Sequence, residues 1–242
     1  MALPIIDHPS PNCRARDPGP VIDTLVLHYT GMQSGRAAIE RLCDPEAQVS
    51  SHYVVEEDGR IFRLVPEALR AAHAGISHWR GRSMLNDSSI GIEIVNPGHE
   101  WGYRPFPAPQ IDAVRDLCLG ILSRHPIPPV NVVGHSDIAP DRKQDPGELF
   151  PWAQLARDGI GLYPHDVPDL GTADGAAGIA SVRRALRRIG YDIENEGDMD
   201  QTLLIALTAF QRHWRPETVN GRADAGTRAR IEAVARLASD TR

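Results

Sequence analysis

The chain has 242 residues, of which 41% are hydrophobic and 24% charged, and its formal net charge is −6. This length allows one large domain, or a medium and a small one, and the composition is that of an ordinary globular protein. The negative charge argues against a phosphate-binding surface and hence against nucleic acid as a partner, and no apolar stretch approaches the ~20 residues of a membrane span.

The N-terminal stretch MALPIIDHPSPN has neither the basic region nor the apolar region of an export signal. It therefore predicts a cytoplasmic protein. A periplasmic or envelope protein whose signal had been removed would look the same, and that alternative stays open.

The first half of the chain predicts a central strand, a helix and a hairpin. Residues 21–30, VIDTLVLHYT, are apolar and β-branched, which favours a buried strand with His28 near its carboxyl end. Residues 34–44 predict a short helix with Ser34 as its N-cap. Within residues 51–66, Asp58-Gly59 separates two apolar runs, which is a strong hairpin signal.

The following elements predict an α/β fold with a mixed sheet flanked by helices. In residues 89–96, SIGIEIVN, three isoleucines alternate with Gly91, Glu93 and Val95 on the opposite face. A loop rich in proline and aromatics, residues 97–109, precedes an amphipathic helix at about 110–125. Residues 130–135 predict a third strand that runs into GHSDIAPDRKQDPG, and the hairpin makes the sheet mixed.

The C-terminal part predicts a separate small all-α domain. Residues 164–178 are rich in Pro, Gly, Ala and Asp and predict a linker between residues 1–163 and 179–242. Beyond it, helical spacing predicts three apolar stripes, made by Val182, Leu186 and Ile189, then Leu203, Leu204, Leu207 and Phe210, then Ile231, Val234 and Leu237.

Three side chains form a candidate metal site. His28 and His135 each stand at the carboxyl end of a predicted strand, where α/β sheets bind ligands. Asp145 follows nearby, next to Pro146. Two imidazoles and one carboxylate would leave Zn²⁺ one open position, as in hydrolytic sites, although either histidine alone could be structural.

Glu93 and Lys143 are candidate catalytic residues. A carboxylate on an otherwise apolar strand is costly unless it is solvated, paired or functional. Beside a metal, Glu93 could act as general base and then as acid, and Lys143 could stabilise an oxyanion. A solvent-facing strand position for Glu93 and a surface position for Lys143 are the alternatives.

The cysteines predict no disulfide framework and no cysteine-rich zinc site. Cys13, Cys43 and Cys118 are odd in number, widely spaced and outside any C-x-x-C pair. Cys118 lies in the apolar stripe of the helix at 110–125, which predicts core packing.

Five segments in order resemble the zinc-dependent N-acetylmuramoyl-L-alanine amidases of the amidase-2 family. They are LVLHYTG, SSHYVVEEDGRIFRLV, AAHAGISHWRG, SIGIEIVNPG and GHSDIAPDRKQDPGELFPW, which together cover about residues 5–160. The resemblance implies one Zn²⁺ held by His28, His135 and Asp145, with Glu93 and Lys143 catalytic. All five residues are present.

The same resemblance suggests the walls of the site and the role of the second domain. His52, His73 and Trp79 lie in family motifs, and site-wall or structural roles are favoured over metal ligation. Tyr29, His73 and Trp79 are the candidate substrate-binding residues, with the loop 97–109 beside them. Residues of about 180–235 resemble a peptidoglycan-binding-like three-helix domain, although a plain helical bundle explains the apolar stripes equally well.

The resulting hypothesis is an enzyme that hydrolyses the amide between N-acetylmuramic acid, or its anhydro form, and L-alanine of the peptidoglycan stem peptide. A protein that binds muropeptides without cleaving them is the alternative, and it predicts a broken metal triad. The expected partners are peptidoglycan fragments or muropeptides, and a monomer is favoured. A cytoplasmic chain would recycle fragments, whereas the extra domain favours polymeric cell wall.

Overall fold

The computed structural model describes residues 4–168, 170 and 178–240. The strands are β1 Ile5–Asp7, β2 Cys13–Ala15, β3 Thr24–Tyr29, β4 Tyr53–Val55, β5 Ile61–Arg63, β6 Leu69–Ala71, β7 His78–Trp79, β8 Arg82–Ser83, β9 Ser89–Ile94 and β10 Val132–Gly134. The helices are α1 Gly35–Cys43, α2 Gly98–Trp101, α3 Ala108–Arg124, α4 His135–Ile138, α5 Trp152–Arg157, α6 Ile179–Ile189, α7 Gln201–Trp214 and α8 Ala225–Asp240.

Six strands form the main sheet, in the order β1-β5-β4-β9-β3-β10. The four strands β4, β9, β3 and β10 pair in parallel, whereas β4 and β5 pair antiparallel and β1 joins β5 in parallel. Two small antiparallel pairs, β2 with β6 and β7 with β8, lie outside it. The predicted mixed sheet is confirmed.

Local signals account for several of these elements. The Ser34 side chain accepts a hydrogen bond from the Ala37 N–H and so caps α1, as predicted. The Asp58-Gly59 turn joins β4 to β5, and Gly59 takes a φ of +89°, which a residue with a Cβ adopts only with strain.

One face of the main sheet packs on α3. The three isoleucines of β9 share a buried cluster with side chains of α3 that recur at helical spacing, including Val114 and Ile121. Cys118 belongs to this cluster and is fully buried, so its predicted core position is confirmed.

On the opposite face of the main sheet, other elements pack at two places, and the strip of sheet between them is polar. At one side α1 contributes Ile39 and Leu42 to a cluster with Val54 of β4. At the other side Val26 of β3 joins a cluster that includes side chains of the C-terminal helices. His28 and Glu93, which are register partners on β3 and β9, occupy the strip between the two covers.

The C-terminal helices α6, α7 and α8 pack together, and their core continues into the sheet part. Most of the predicted stripe positions are buried, but Leu204 and Leu237 are 40% and 39% exposed. The same cluster contains Trp79 and Val133 from the sheet part. Of the predicted linker 164–178, residues 169 and 171–177 lie outside the described residues.

Among the helices of the described ranges, none has the length and apolarity needed to cross a membrane.

Candidate metal centre and active site

The carboxyl ends of three neighbouring parallel strands carry the predicted site residues. His28 is the penultimate residue of β3, and its register partner on β9 is Glu93. His135 begins α4 directly after β10, which pairs with β3 on the other side. Parallel strands present these ends at one sheet edge, so the topology itself brings the three side chains together.

His28, His135 and Asp145 converge on one point. Their ligand atoms lie 2.9 Å apart between His28 Nδ1 and His135 Nδ1, and 3.0 and 3.1 Å from Asp145 Oδ2 to those two nitrogens. All three side chains are buried. Tetrahedral zinc with bonds of about 2.0–2.1 Å places its ligands roughly 3.3 Å apart, so the spacing suits a metal ion.

A hydrogen bond on the far side of the His135 ring determines which ring nitrogen is available to a metal ion. His135 Nε2 lies 3.2 Å from the Ala74 carbonyl oxygen, which can only accept. Nε2 therefore donates to this oxygen, and in the form of the ring that binds metal the lone pair lies on Nδ1.

A longer chain of hydrogen bonds fixes His28 in the same way. The Ser89 hydroxyl donates to the Leu85 carbonyl (2.7 Å), so Ser89 Oγ accepts from His73 Nε2 (3.2 Å). His73 Nδ1 then accepts from His28 Nε2 (3.1 Å). His28 Nδ1 is thus left with a lone pair at the point of convergence.

The three converging atoms consequently repel one another unless a proton or a metal ion lies between them. Burial, followed by the neighbouring His135, lowers the pKa of His28 to about 4, which keeps the ring neutral. Burial raises the pKa of the Asp145 carboxyl, but the positive charge and the hydrogen bonds that the two histidines supply when a facing ring nitrogen carries a proton outweigh burial and bring it well below its usual range. Neutral imidazole and ionised carboxylate are the forms that bind metal.

Backbone contacts hold the two segments that carry His135 and Asp145 against each other. The Ser136 N–H donates to the Asp145 carbonyl oxygen at 2.9 Å. A Cβ at Gly134 would lie 2.7 Å from Pro146 Cδ, so glycine is required for this close approach.

Glu93 lies beside this centre, and its buried Oε2 has no hydrogen-bond partner within the described part of the chain. Burial raises the pKa of its carboxyl well above the usual value, the Asp145 charge raises it further, and Lys143 opposes both. On the same face of β9, the His73 ring packs against Gly91, where a Cβ would meet it at 2.5 Å.

A cavity of about 850 Å³ opens above the candidate metal centre. Six of the predicted site residues line it, namely Tyr29, His73, Glu93, His135, Lys143 and Asp145. His28 lies at the base of the site, 1% exposed. The structure thus brings together every predicted metal ligand and both predicted catalytic residues.

An aromatic wall borders the cavity on the side of the loop 97–109. His99 Nε2 donates to the Glu148 carboxylate (3.1 Å), and its Nδ1 lies at hydrogen-bond distance from the Tyr29 hydroxyl (3.0 Å). His99 also stacks on Tyr103, with the ring centres 4.3 Å apart. The loop borders the cavity, as expected. Burial of the Tyr29 hydroxyl raises its pKa to about 12.

Sequence reasoning missed three further lining residues, Arg41, Arg142 and Trp101. Arg142 donates to the Ala74 carbonyl oxygen at 2.6 Å. The same oxygen bonds His135 Nε2. Trp101 is 52% exposed at the cavity. A tryptophan in a loop rich in glycine and proline was a usable signal for it, whereas the two arginines carried none.

Trp79 requires a correction. Its indole is 2% exposed, donates to the Val130 carbonyl oxygen and packs against Tyr191 of the C-terminal part. A side chain enclosed in this way cannot contact a ligand in the cavity, so the predicted substrate-binding role of Trp79 is wrong. His52 is fully buried and accepts from the Gly91 N–H, which is a structural role.

Fold and site together define a class of protein. Two imidazoles, one carboxylate and a half-buried glutamate at the edge of a mixed α/β sheet form a site that could hold one metal ion, as in the mononuclear metal hydrolases.

Comparison with known proteins assigns the family. Residues 17–148 match the Amidase_2 family, described as N-acetylmuramoyl-L-alanine amidase. The chain is 43% identical to the N-acetylmuramoyl-L-alanine amidase AmiD of Escherichia coli over 232 residues, covering 89% of this chain and 83% of that protein. It is 36% identical to the 1,6-anhydro-N-acetylmuramyl-L-alanine amidase AmpD of the same species, over 61% of this chain and 87% of AmpD.

Solved structures agree with the sequence matches. A complex of E. coli AmiD superimposes with a TM-score of 0.79 at 41% identity, covering 93% of this chain and 92% of AmiD. AmpDh3 of Pseudomonas aeruginosa gives a TM-score of 0.79 at 36% identity, covering 93% of this chain and 95% of that one. The chain belongs to the N-acetylmuramoyl-L-alanine amidase family, and the predicted family and fold class are confirmed.

Proposed function

We propose that this chain hydrolyses the amide between N-acetylmuramic acid, or its anhydro form, and L-alanine of the stem peptide, with one Zn²⁺ held by His28, His135 and Asp145. The observation that carries the proposal is the convergence of two imidazole nitrogens and one carboxylate oxygen within 2.9–3.1 Å of one another. The intact triad favours an enzyme over a protein that only binds muropeptides.

The donor set fits zinc. Two nitrogens and one oxygen leave one position of a tetrahedral ion open, as in catalytic sites. When bound, zinc supplies Lewis-acid polarisation of the scissile carbonyl and makes water nucleophilic at neutral pH.

Glu93 moves the protons. The Glu93 carboxyl, whose pKa burial raises well above its usual value, accepts a proton at Oε2 from the attacking water and returns it to the leaving amine. The absence of another partner for Oε2 among the described residues leaves it available for this transfer.

Lys143 stabilises charge. Its ammonium group lines the same cavity as Glu93 and lies close enough to lower the pKa of that carboxyl. There it offsets the negative charge that develops on the carbonyl oxygen in the transition state.

Peptidoglycan fragments are the proposed substrates. The AmiD structure holds anhydro-N-acetylmuramic acid-L-Ala-D-γ-Glu-L-Lys, and a further AmpDh3 structure holds an anhydromuramic pentapeptide. Tyr29 and His73 line the cavity and are proposed to contact such a ligand. All proposed ligands and catalytic groups come from one chain, which supports a monomer as the working unit.

The helical part is proposed to be a peptidoglycan-binding-like domain, and the compartment decides which substrate the enzyme meets. A cytoplasmic enzyme would meet soluble fragments, and an envelope enzyme would meet the polymer. Cell fractionation, together with a comparison of rates on intact sacculi and on anhydro-muropeptides, separates the two.

Metal analysis combined with a muropeptide digest tests the function. We expect about one zinc per chain, because the three ligands form a single mononuclear site, and release of the stem peptide with a free L-alanine amine, detected by mass spectrometry. A chelator should abolish cleavage and added zinc should restore it. Purified protein without zinc, whose digest is unchanged by chelator, would show that the proposal is wrong.

A further inference from the structure

The carboxylate of Asp137 is buried where the sheet part meets the helical part. Asp137 is 1% exposed and accepts three hydrogen bonds. Oδ1 accepts from the Tyr191 hydroxyl at 2.7 Å, and Oδ2 accepts from the Gly134 N–H at 2.8 Å and from His213 Nδ1 at 2.7 Å. Two of these three donors therefore come from the helical part of the chain.

Packing fixes both of those donors. The His213 ring stacks between Trp152 and Trp214, with ring centres 3.8 and 3.6 Å away. The Tyr191 ring packs edge-on against Trp79, 5.3 Å between centres. Each donor is 2% exposed, so neither can turn toward solvent without disrupting its aromatic neighbours.

Asp137 in turn holds the segment that carries a proposed metal ligand. Gly134, which donates to it, is the N-cap of α4, and His135 is the first residue of that helix. Because α4 has only four residues, it lacks the regular ladder of hydrogen bonds that stiffens a longer helix. Its orientation depends on contacts such as the one at Asp137.

We propose that Tyr191 and His213 are positioning residues of the amidase site. They hold the Asp137 carboxylate, which orients the first turn of α4 so that His135 Nδ1 stays at the point shared with His28 and Asp145. The proposal rests on the metal site of the proposed function. It makes the helical part a component of the hydrolytic unit, separate from any contact it makes with cell wall.

The physical reason is the cost of leaving a buried carboxylate short of a donor. When one donor is removed, the carboxylate must shift or admit water to recover a partner. Either response moves the turn that begins at Gly134, and metal sites respond strongly to small displacements of a ligand.

The substitution Tyr191→Phe tests this with the full-length protein. We expect its zinc dissociation constant to rise about tenfold, the lower end of the range for groups that orient metal ligands. The visible absorption band of the cobalt-substituted protein should shift, and kcat should fall more than KM rises. Zinc affinity is measured by competition with a chromophoric chelator.

The matched control is Tyr163→Phe, because the Tyr163 hydroxyl also bonds across the two parts, to the Trp214 carbonyl oxygen at 3.4 Å, without touching Asp137. It should leave the zinc affinity and the cobalt spectrum unchanged. Thermal unfolding of both metal-free variants separates loss of fold from loss of positioning.

A second pair at His213 keeps the test decisive if Tyr191→Phe fails to fold. His213→Asn retains an N–H donor near the position of Nδ1 and should retain zinc affinity, whereas His213→Phe keeps the stacking and should lose it. Wild-type affinity in Tyr191→Phe or His213→Phe would overturn the positioning role alone. Failure of the wild-type protein to bind zinc would overturn the proposed function and this inference with it.

Discussion

Glu93 is the residue whose surroundings are hardest to explain without chemistry. It shares a buried sheet face with His28, its Oε2 has no partner among the described residues, and burial raises the pKa of its carboxyl. If the side chain at position 93 served only packing, an apolar residue there would cost less free energy of folding than an unpartnered carboxyl.

We therefore expect Glu93→Gln to keep its zinc and lose about 10²–10⁴-fold in kcat, the range typical of a general base. Steady-state cleavage of an anhydro-muropeptide measures kcat, and elemental analysis measures the zinc content. The control is Glu57→Gln, since the Glu57 carboxylate pairs with Arg104 on the exposed surface. If Glu93→Gln kept wild-type turnover, the base would have to be another group.

The site residues at the ends of strands could be predicted from the sequence. The residues whose burial or role depends on contacts with distant parts of the chain could not. His28 and His135 were predictable because parallel strands bring their carboxyl ends together. The burial of Trp79 was not, because the helical residues that cover it lie more than a hundred positions away in the chain. Tyr191 and His213 gave no signal for the same reason.

Among the elements, the end of α3 is tied to the turn before β6 through Glu67. The Glu67 carboxylate accepts hydrogen bonds of 2.7 Å from Arg124, His125 and the hydroxyl of Tyr53. Burial raises the pKa of this carboxyl, but the hydrogen bonds outweigh burial and lower it to about 2, from an ordinary value of 4.5.

This shift predicts a pH-dependent contribution to stability. Because the pKa is lower in the folded state, the stabilisation is complete above about pH 4.5 and declines as pH falls toward 2. At pH 5.5 we expect Glu67→Gln to lower the free energy of unfolding by about 1–2 kcal/mol, allowing for solvent screening of the ion pairs. Urea unfolding of the metal-free protein between pH 5.5 and 2.5 measures it.

The difference between wild type and variant should shrink steadily over that interval. Glu40→Gln is the control, since its pair with Arg36 is exposed and is expected to contribute little at any pH. A difference that stayed constant down to pH 2.5 would contradict the assigned cause.

The long helices and strands were predictable, whereas the shortest helices were not. The strand β9 and the helix α3 carry several residues in a clear period of two and 3.6, and β3 is a continuous apolar run typical of a buried strand. The helices α2 and α4 have four residues each, too few to show any period. Both carry residues that line the cavity, so the local geometry of the site lay beyond the reach of periodicity.

At the scale of the whole molecule, the helical part and the sheet part share one buried cluster. Leu186 and Phe210 of the helices belong to the same cluster as Val26 and Val133 of the sheet. Unfolding the helices alone would expose the sheet residues of this cluster to water.

We therefore expect a single cooperative thermal transition for the metal-free chain, with equal calorimetric and van't Hoff enthalpies. Leu186→Ala should destabilise that transition by about 2–5 kcal/mol. Ile92→Ala, in the sheet core, serves as the matched variant and should lower the same transition. Two resolved transitions, of which Leu186→Ala moves only one, would show that the parts unfold independently.

The Asp137 carboxylate accepts hydrogen bonds from both the sheet part and the helical part, and this limits how the two parts can be exchanged in engineered chimaeras. A chimaera that replaced residues 179–242 with an unrelated module would leave Asp137 with one donor out of three. The new module would need to supply a hydroxyl and an imidazole at the same places, or the acid itself would have to be exchanged for a neutral residue. Fusion of an additional module beyond the last helix avoids this conflict and is the safer route for engineering.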